Sequence, residues 1–354
     1  MTQKIFALLI SICVGFVNSD AVAWDHPAHM ITAAIAFTEI EQSNPDLADK
    51  LELVFMSHPE TAPFWVATVD ARGSERARRM FIEGARWADD TKGSIYDRPT
   101  WHTARWPIIA KDAPPEAIAA AEARKGRPAG QAIEALVMNY AMLASAETNR
   151  SERASALAWL LHLVGDIHQP LHVSDQYSKR FPAGNGAGTL EYVKDPVNGI
   201  PIPLHLLWDS NIYRSTERDA VDQASQALVE KFPRSKFPEL TGLQGPDDFE
   251  RWARESYQVA ADFAYGFGLE TVTDPDNELD PDKSVKKMVA YVLYGKSPVD
   301  DAPEVPAEYW GKLQQIAQMR ITLAGYRIAD LVLAAADQIN TERSYTGKAL
   351  ETLD

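Results

Sequence analysis

Among its 354 residues the chain has a single cysteine, Cys13, within the first two dozen residues. The remainder can form no disulfide, so the fold must rest on packing or on metal ions. Long apolar runs are also missing. The most apolar stretch, residues 5–17, is shorter than the roughly 20 residues that a membrane-spanning helix needs, and no membrane anchor is expected. Positive charge is scarce: 35 Lys and Arg stand against 50 Asp and Glu, a net charge of −15. That balance argues against a broad basic groove tracking a nucleic-acid backbone, which needs many phosphate contacts. A local cationic site remains open. The one basic cluster, Arg72, Arg76, Arg78 and Arg79 in ARGSERARR, reads as a solvated helix face. Strand signals are sparse too, and only AGNGAGTLEYV (183–193) followed by DPVNGIPIP suggests a hairpin.

Helical periodicity is what the chain does have. Apolar residues recur at three- and four-residue intervals around 29–41, 75–88, 115–125, 130–146, 152–167, 219–231, 247–266 and 306–338. The expected fold is mainly α, a single helical domain with at most a small β-hairpin. Turn-rich loops at 174–203, 232–246 and 272–307 do not read as linkers between separate cores. The acidic DPDNELDPDK (274–283) lacks the glycine and closing glutamate of a calcium loop and reads as a surface loop. Asn149-Arg150-Ser151 is a glycosylation sequon, which matters only in a host that glycosylates.

The first 23 residues carry Lys4, the apolar run 5–17 and an A-x-A pattern at Ala21-Val22-Ala23, the layout of a signal peptide. Cleavage between Ala23 and Trp24 would leave a secreted or periplasmic protein of residues 24–354 beginning WDHPAH. His29 then lies five residues from a free amine.

Five of the eight histidines, His29, His102, His162, His172 and His205, stand in short segments with aspartates: ARWADDTK holds Asp89, HLVGDIHQPLH holds Asp166, and PLHLLWD holds Asp209. His162 with Asp166, and His205 with Asp209, place imidazole and carboxylate one helical turn apart on one face. That spacing suits chelation, although a lone His-x-x-x-Asp is more often a hydrogen-bonded pair. The run ASALAWLL before His162 is apolar all round, so Asp166 is buried and needs partners or a cation. Without cysteine the donors are N and O only, favouring zinc but leaving manganese or iron open. His26 and His58 lack such company, and His168 reads as a hydrogen-bonding residue outside the ligand set.

The ordered set of Trp-Asp-His at residue 24, WAD, WH, HxxGDxHQPLH and LHxxWD resembles the zinc-dependent single-strand nucleases and 3′-nucleotidases of fungi, plants and bacteria, the S-one/P-one type, whose fold is shared with bacterial zinc phospholipase C. WARESYQVAADFAYG and QMRITLAGYRIADLV are similar to that family's closing helices, so the resemblance spans nearly all of 24–354. It implies three Zn2+. Asp89, His102, His162 and Asp166 would hold the first, and His172, His205 and Asp209 the second. The amine and carbonyl of Trp24, with His29 and Asp166, would hold the third, making Asp166 a bridge.

The implied activity is hydrolysis of single-stranded DNA, RNA and 3′-nucleotides, leaving 5′-phosphates. A hydroxide shared by two zincs, roughly 3.5–4 Å apart, would attack in line. Asp89, Lys92 and Asp166 are the catalytic residues implied, Asp89 orienting the water and Lys92 contacting the phosphate. Lys92, Arg105, Trp106 and Asn185 would bind substrate: Arg105 stands where relatives carry an acceptor for the base, Trp106 is placed to stack, and Asn185 resembles an asparagine near the base. No protein partner is implied. Three zincs against three aspartates would make the site cationic on an acidic protein. The alternatives are a zinc phospholipase C, which normally carries Glu at the Asp209 position, and an exported zinc-binding protein without catalysis. Only cleavage after Ala23 would create the Trp24 amine. A chain keeping one extra residue before Trp24 is therefore expected to lose the third zinc, and metal analysis finding the full complement in such a chain would overturn the assignment.

Overall fold

Each segment with helical apolar spacing is helical in the computed structural model, which describes residues 24–210, 213–241, 245–273 and 299–351, with side chains to residue 340. The expected leader and the acidic run 274–283 lie outside the described residues. The helices are α1 (His26–Ser43), α2 (Pro45–Phe55), α3 (Ala62–Val66), α4 (Gly73–Asp90), α5 (Pro115–Glu122), α6 (Ala132–Ala144), α7 (Arg150–His168), α8 (Leu204–Asp209), α9 (Arg218–Lys231), α10 (Phe249–Val259) and α11 (Ala307–Glu351). The expectation of a mainly α fold holds. None of the described helices is long and apolar enough to cross a membrane.

Local chemistry sets several boundaries. Ser43-Asn44-Pro45 ends α1 and starts α2: Asn44 Oδ1 accepts the Leu47 amide at 3.0 Å, and Pro45 supplies the first helical residue. Asn149, the sequon residue, caps α7 by accepting from the Glu152 amide at 3.0 Å. Sequence periodicity missed α2, α3 and α8. The last two are about one turn long, too short to display a 3.6-residue period. The basic cluster is not a free solvated face. Arg78 pairs with Asp222 at 2.6 Å and reaches the Ala34 carbonyl, Arg79 binds Asp70 and Glu75, and Arg76 stacks on Trp65.

Helix α1 packs against α4, α9 and α11, while α7 packs against α4, α6 and α11. These helices form the larger core; a smaller one around Leu171, Trp208 and Tyr309 supports α8. Helix α7 is buried on all sides from Ala156 to His168, as its lack of a polar face required. Two short sheets flank this frame. In the hairpin, β3 (Tyr192–Lys194) pairs antiparallel with β4 (Pro201–Pro203). The other was not expected: β1 (Trp106–Ile109) pairs in parallel with β2 (Ser174–Tyr177), Trp106 opposite Ser174. Parallel pairing joins segments far apart in sequence, so it leaves no hairpin signature.

At the α1–α11 crossing the backbones nearly touch. A Cβ added at Gly325 would lie 2.8 Å from Ile35 Cβ and 2.9 Å from the Thr32 carbonyl oxygen. Gly325→Ala should therefore destabilise the protein by about 1–3 kcal/mol through overpacking, despite alanine's advantage of up to ~1 kcal/mol in a helix interior. Chemical denaturation tests this, and an unchanged or raised midpoint would show that the helices separate without cost.

Candidate metal centre

Five segments converge beside α7. His162 and Asp166 lie one turn apart on its buried face. The helix stops at Gln169-Pro170, and the following single turn, Pro170–Val173, redirects the chain so that His172 faces the same region. Asp89 comes from the last turn of α4, His102 from the end of the turn Pro99–Trp101, His29 from the first turn of α1, and His205 with Asp209 from α8. All these side chains are buried.

Their donor atoms form close groups. His162 Nε2 is 3.0 Å from His102 Nδ1 and 3.4 Å from Asp166 Oδ2, and His102 Nδ1 is 3.1 Å from the same oxygen. Asp89 Oδ1 lies 3.8 Å from His162 Nε2. On the other side of Asp166, Oδ1 is 3.4 Å from His29 Nε2 and 3.8 Å from His172 Nδ1. His205 Nε2 and His172 Nε2 stand 3.4 and 3.9 Å from the two oxygens of Asp209. A tetrahedral ion with bonds of roughly 2.0–2.2 Å holds its donors about 3.3–3.6 Å apart. Among the described residues, three groups have the composition and spacing to hold an ion: His29, Asp89 and His162; His102, His162 and Asp166; His172, His205 and Asp209.

Backbone carbonyls fix several rings. His162 Nδ1 donates to the Ala85 carbonyl, His172 Nδ1 to that of His102 and His205 Nδ1 to that of Ala187, each at 2.8 Å. The Nδ1 proton leaves Nε2 as the lone-pair donor, the usual way a protein orients a ligating imidazole. The loop behind His205 bends sharply to do this, with Gly186, Ala187 and Gly188 all at positive φ. Alanine rarely adopts that region. Glycine has another role at residue 165: a Cβ there would lie 2.7 Å from His29 Nδ1 and 3.8 Å from Trp24 Cδ1, so a bare backbone lets both approach α7. Trp24 is buried, and the Asp25 amide donates to the Asp209 carbonyl at 3.3 Å.

The described protein groups do not satisfy these side chains. Both ring nitrogens of His29, both oxygens of Asp89, Asp166 Oδ1 and Asp209 Oδ2 are buried without a hydrogen-bond partner among the described residues. Leaving such atoms unpaired costs about 1–3 kcal/mol each, more for charged groups. Bound cations would compensate them together, so the donor set fits metal. Burial raises Asp166 well above the ordinary carboxylate range despite His162, and raises Asp209 likewise against the Gln169 hydrogen bond. Burial also lifts Asp25 to about 8. For Asp89 burial is outweighed by His162, Lys92 and His102, and its pKa is lowered. Burial keeps His29 and His162 below the usual imidazole value, which favours the neutral form that binds metal.

Around this centre the sequence expectations fare unevenly. Lys92 Nζ lies 3.8 Å from Asp89 Oδ1 at the edge of the cluster. Trp106 is only 3% exposed, with the Arg254 guanidinium 3.8 Å above its ring; its face is not open to a base. Asn185 is fully buried, its Nδ2 donating to Glu191 and its Oδ1 accepting from the Gln176 amide, so it organises its own loop. Arg105 has its Nε buried without a hydrogen-bond partner among the described residues. His168 does hydrogen bond, but to the Val164 carbonyl and Arg327 rather than to a member of the cluster. Sequence reasoning missed Gln169, whose Nε2 donates to Asp209 Oδ1 at 2.6 Å while its Oε1 accepts the Leu171 amide. Its place between His168 and Pro170 in HQPLH was the available signal.

Comparison with known proteins agrees with this arrangement. The profile of the S1/P1 Nuclease family matches residues 24–337. The chain is 32% identical to Nuclease S1 of Aspergillus oryzae over 257 residues, 69% of this chain and 75% of that protein. It is 29% identical to Endonuclease 2 of Arabidopsis thaliana over 157 residues, 38% of this chain, and 24% identical to Endonuclease 1 of the same plant over 182 residues, 51% of this chain. The aligned regions span about half (49%) of each Arabidopsis protein. With a family profile that matches residues 24–337, the chain belongs to the S1/P1 nuclease family.

Proposed function

We propose that this protein is an exported zinc-dependent nuclease that hydrolyses single-stranded DNA, RNA and 3′-nucleotides to 5′-phosphate products. The observation that carries the reading is the convergence of buried His and Asp donors, among which His29, both oxygens of Asp89, Asp166 Oδ1 and Asp209 Oδ2 have no hydrogen-bond partner among the described residues. Asp89, His102, His162 and Asp166 would hold one zinc, His172, His205 and Asp209 a second, and His29, Asp166 and the Trp24 backbone a third. Asp166 suits a bridge because its two oxygens face different histidines, Oδ2 toward His102 and Oδ1 toward His29.

Zinc in such a site polarises phosphoryl oxygens and lowers the pKa of water toward neutrality. The chain's own groups supply the rest. Asp89, with neither oxygen hydrogen-bonded among the described residues, can orient the attacking water. The Lys92 ammonium, beside Asp89, adds positive charge where the phosphate must sit and stabilises charge that grows in the transition state. Carbonyl-held imidazoles do not reorient during the reaction, which keeps the centre preorganised.

Purified protein should be assayed in parallel on single-stranded DNA, RNA, 3′-AMP and phosphatidylcholine. Nucleic-acid and nucleotide cleavage is expected, with Asp166→Asn lowering the rate by several kcal/mol of barrier, on the order of 10³-fold. Hydrolysis of the lipid alone would replace the nuclease reading with a phospholipase, and zinc uptake without any hydrolysis would indicate a binding protein. A second outcome concerns protons. Because burial raises the metal-free Asp166 and Asp209 carboxyls, they hold protons more tightly than free aspartates do, and metal must displace those protons to bind the carboxylates. Zinc titrated into metal-free protein near neutral pH should release protons. Calorimetry in buffers of different ionisation enthalpy measures this, and heats independent of buffer would contradict it.

A further inference from the structure

The C-terminal end of α7 carries Asp166 and leads directly into the turn that delivers His172, yet nothing in the ligand groups themselves fixes that end in space. A helix terminus leaves its last carbonyls without intrahelical partners. Here two of them are taken by residues from the other end of the chain. The Ile167 carbonyl accepts from Ser256 Oγ at 2.5 Å, and the His168 carbonyl accepts from Arg320 Nε at 3.3 Å. Arg320 also donates to Ser256 Oγ at 2.5 Å and to the Trp252 carbonyl at 3.3 Å. Two turns further along α11, Arg327 donates to His168 Nε2 at 2.8 Å and stacks its guanidinium 4.7 Å from the centre of the Trp252 ring.

Glu255 of α10 ties the two arginines together. It accepts from Arg327 through both oxygens, at 2.8 and 2.9 Å, and from Arg320 at 3.3 Å. Arg320 is 4% exposed and Arg327 fully buried, positions where arginine is retained only with specific partners. Arginine can only donate, so His168 Nε2 must accept and its Nδ1 must carry the proton given to the Val164 carbonyl at 2.7 Å. The guanidiniums also face the helix end where partial negative charge gathers. A network of this kind holds a helix end against both displacement and rotation about its axis.

We propose that Arg320, Arg327, Glu255 and Ser256 are positioning residues for the metal centre, clamping the end of α7 so that Asp166 and His172 keep the spacing that their ions require. The clamp touches neither substrate nor metal and acts through the Ile167 and His168 backbone. This inference rests on the zinc reading above.

The test is zinc affinity, measured by competition with a chromophoric chelator on the metal-free protein. Ser256→Ala and Glu255→Gln should weaken at least one zinc site by about 10–100-fold, the effect usual for lost support behind ligands. Leu228→Ala in α9, a buried residue far along the chain from the clamp, serves as a control for lowered Tm. Zinc curves of both clamp variants superimposed on that control would overturn the proposal. Should Glu255→Gln fail to fold, Ser256→Ala, which removes one hydroxyl, still decides. Wild-type protein that takes up no zinc would remove the zinc reading and this inference together, whereas normal zinc uptake by wild type and variants alike would remove the inference alone.

Discussion

One buried carboxylate organises this molecule. Asp166 lies at 0% exposure in a helix with no polar face, where an ionised, unpaired carboxylate would cost several kcal/mol. Its neighbours are four imidazoles, from α1, α7 and the segments holding His102 and His172. Burial holds two of them, His29 and His162, below the usual imidazole value and raises Asp166 itself, so an ionised Asp166 would need a bound cation to balance it. Much of the fold follows from bringing those segments to one point on α7. The parallel β1–β2 pair binds the strand after His102 to the strand after His172, and the Ala104 amide donates to the His172 carbonyl at 3.0 Å. The positive-φ loop at Gly186–Gly188 turns the Ala187 carbonyl toward His205.

The acidity of the chain and the anionic nature of a phosphodiester substrate conflict only at the level of net charge. A net charge of −15 spread over the surface is screened within about 8 Å at physiological ionic strength. Divalent ions bound in the buried centre would be screened far less, and Lys92 lies beside Asp89 of that centre. Capture of an anionic substrate would then depend on a few short-range charges. A basic groove is not needed, and the described arginines near α4 are already paired with Asp70, Glu75 and Asp222.

Legibility in the sequence tracked the range of the interaction. His162 and Asp166 were readable because one turn of helix brings them together, and α8 contributes His205 and Asp209 by the same local rule. The eight long helices showed in their apolar spacing. What stayed hidden depends on contacts between distant segments. Trp106 follows His102 closely and was expected to meet a base, but Arg254 of α10 covers its ring. Asn185 was expected near substrate, but Glu191 and the Gln176 amide take its amide group. Nor could the sequence show that backbone carbonyls would fix three histidines, since a carbonyl has no residue type. His168 was read correctly as a hydrogen-bonding residue, while its partner Arg327 could be found only in three dimensions.

The same distribution of contacts bears on how the centre forms. Its donors run from His29 to Asp209, and the arginines behind α7 stand at 320 and 327. No fragment shorter than residues 29–327 contains both the donors and their support. Loop-closure entropy must be overcome for each segment before any ion gains its full set of donors. Until then the aspartates are separate side chains, exposed to water and free of the burial that raises two of them. Metal affinity in such a centre would therefore be a property of the whole packed chain, because ions would bind tightly only once the packed helices hold the donors in place.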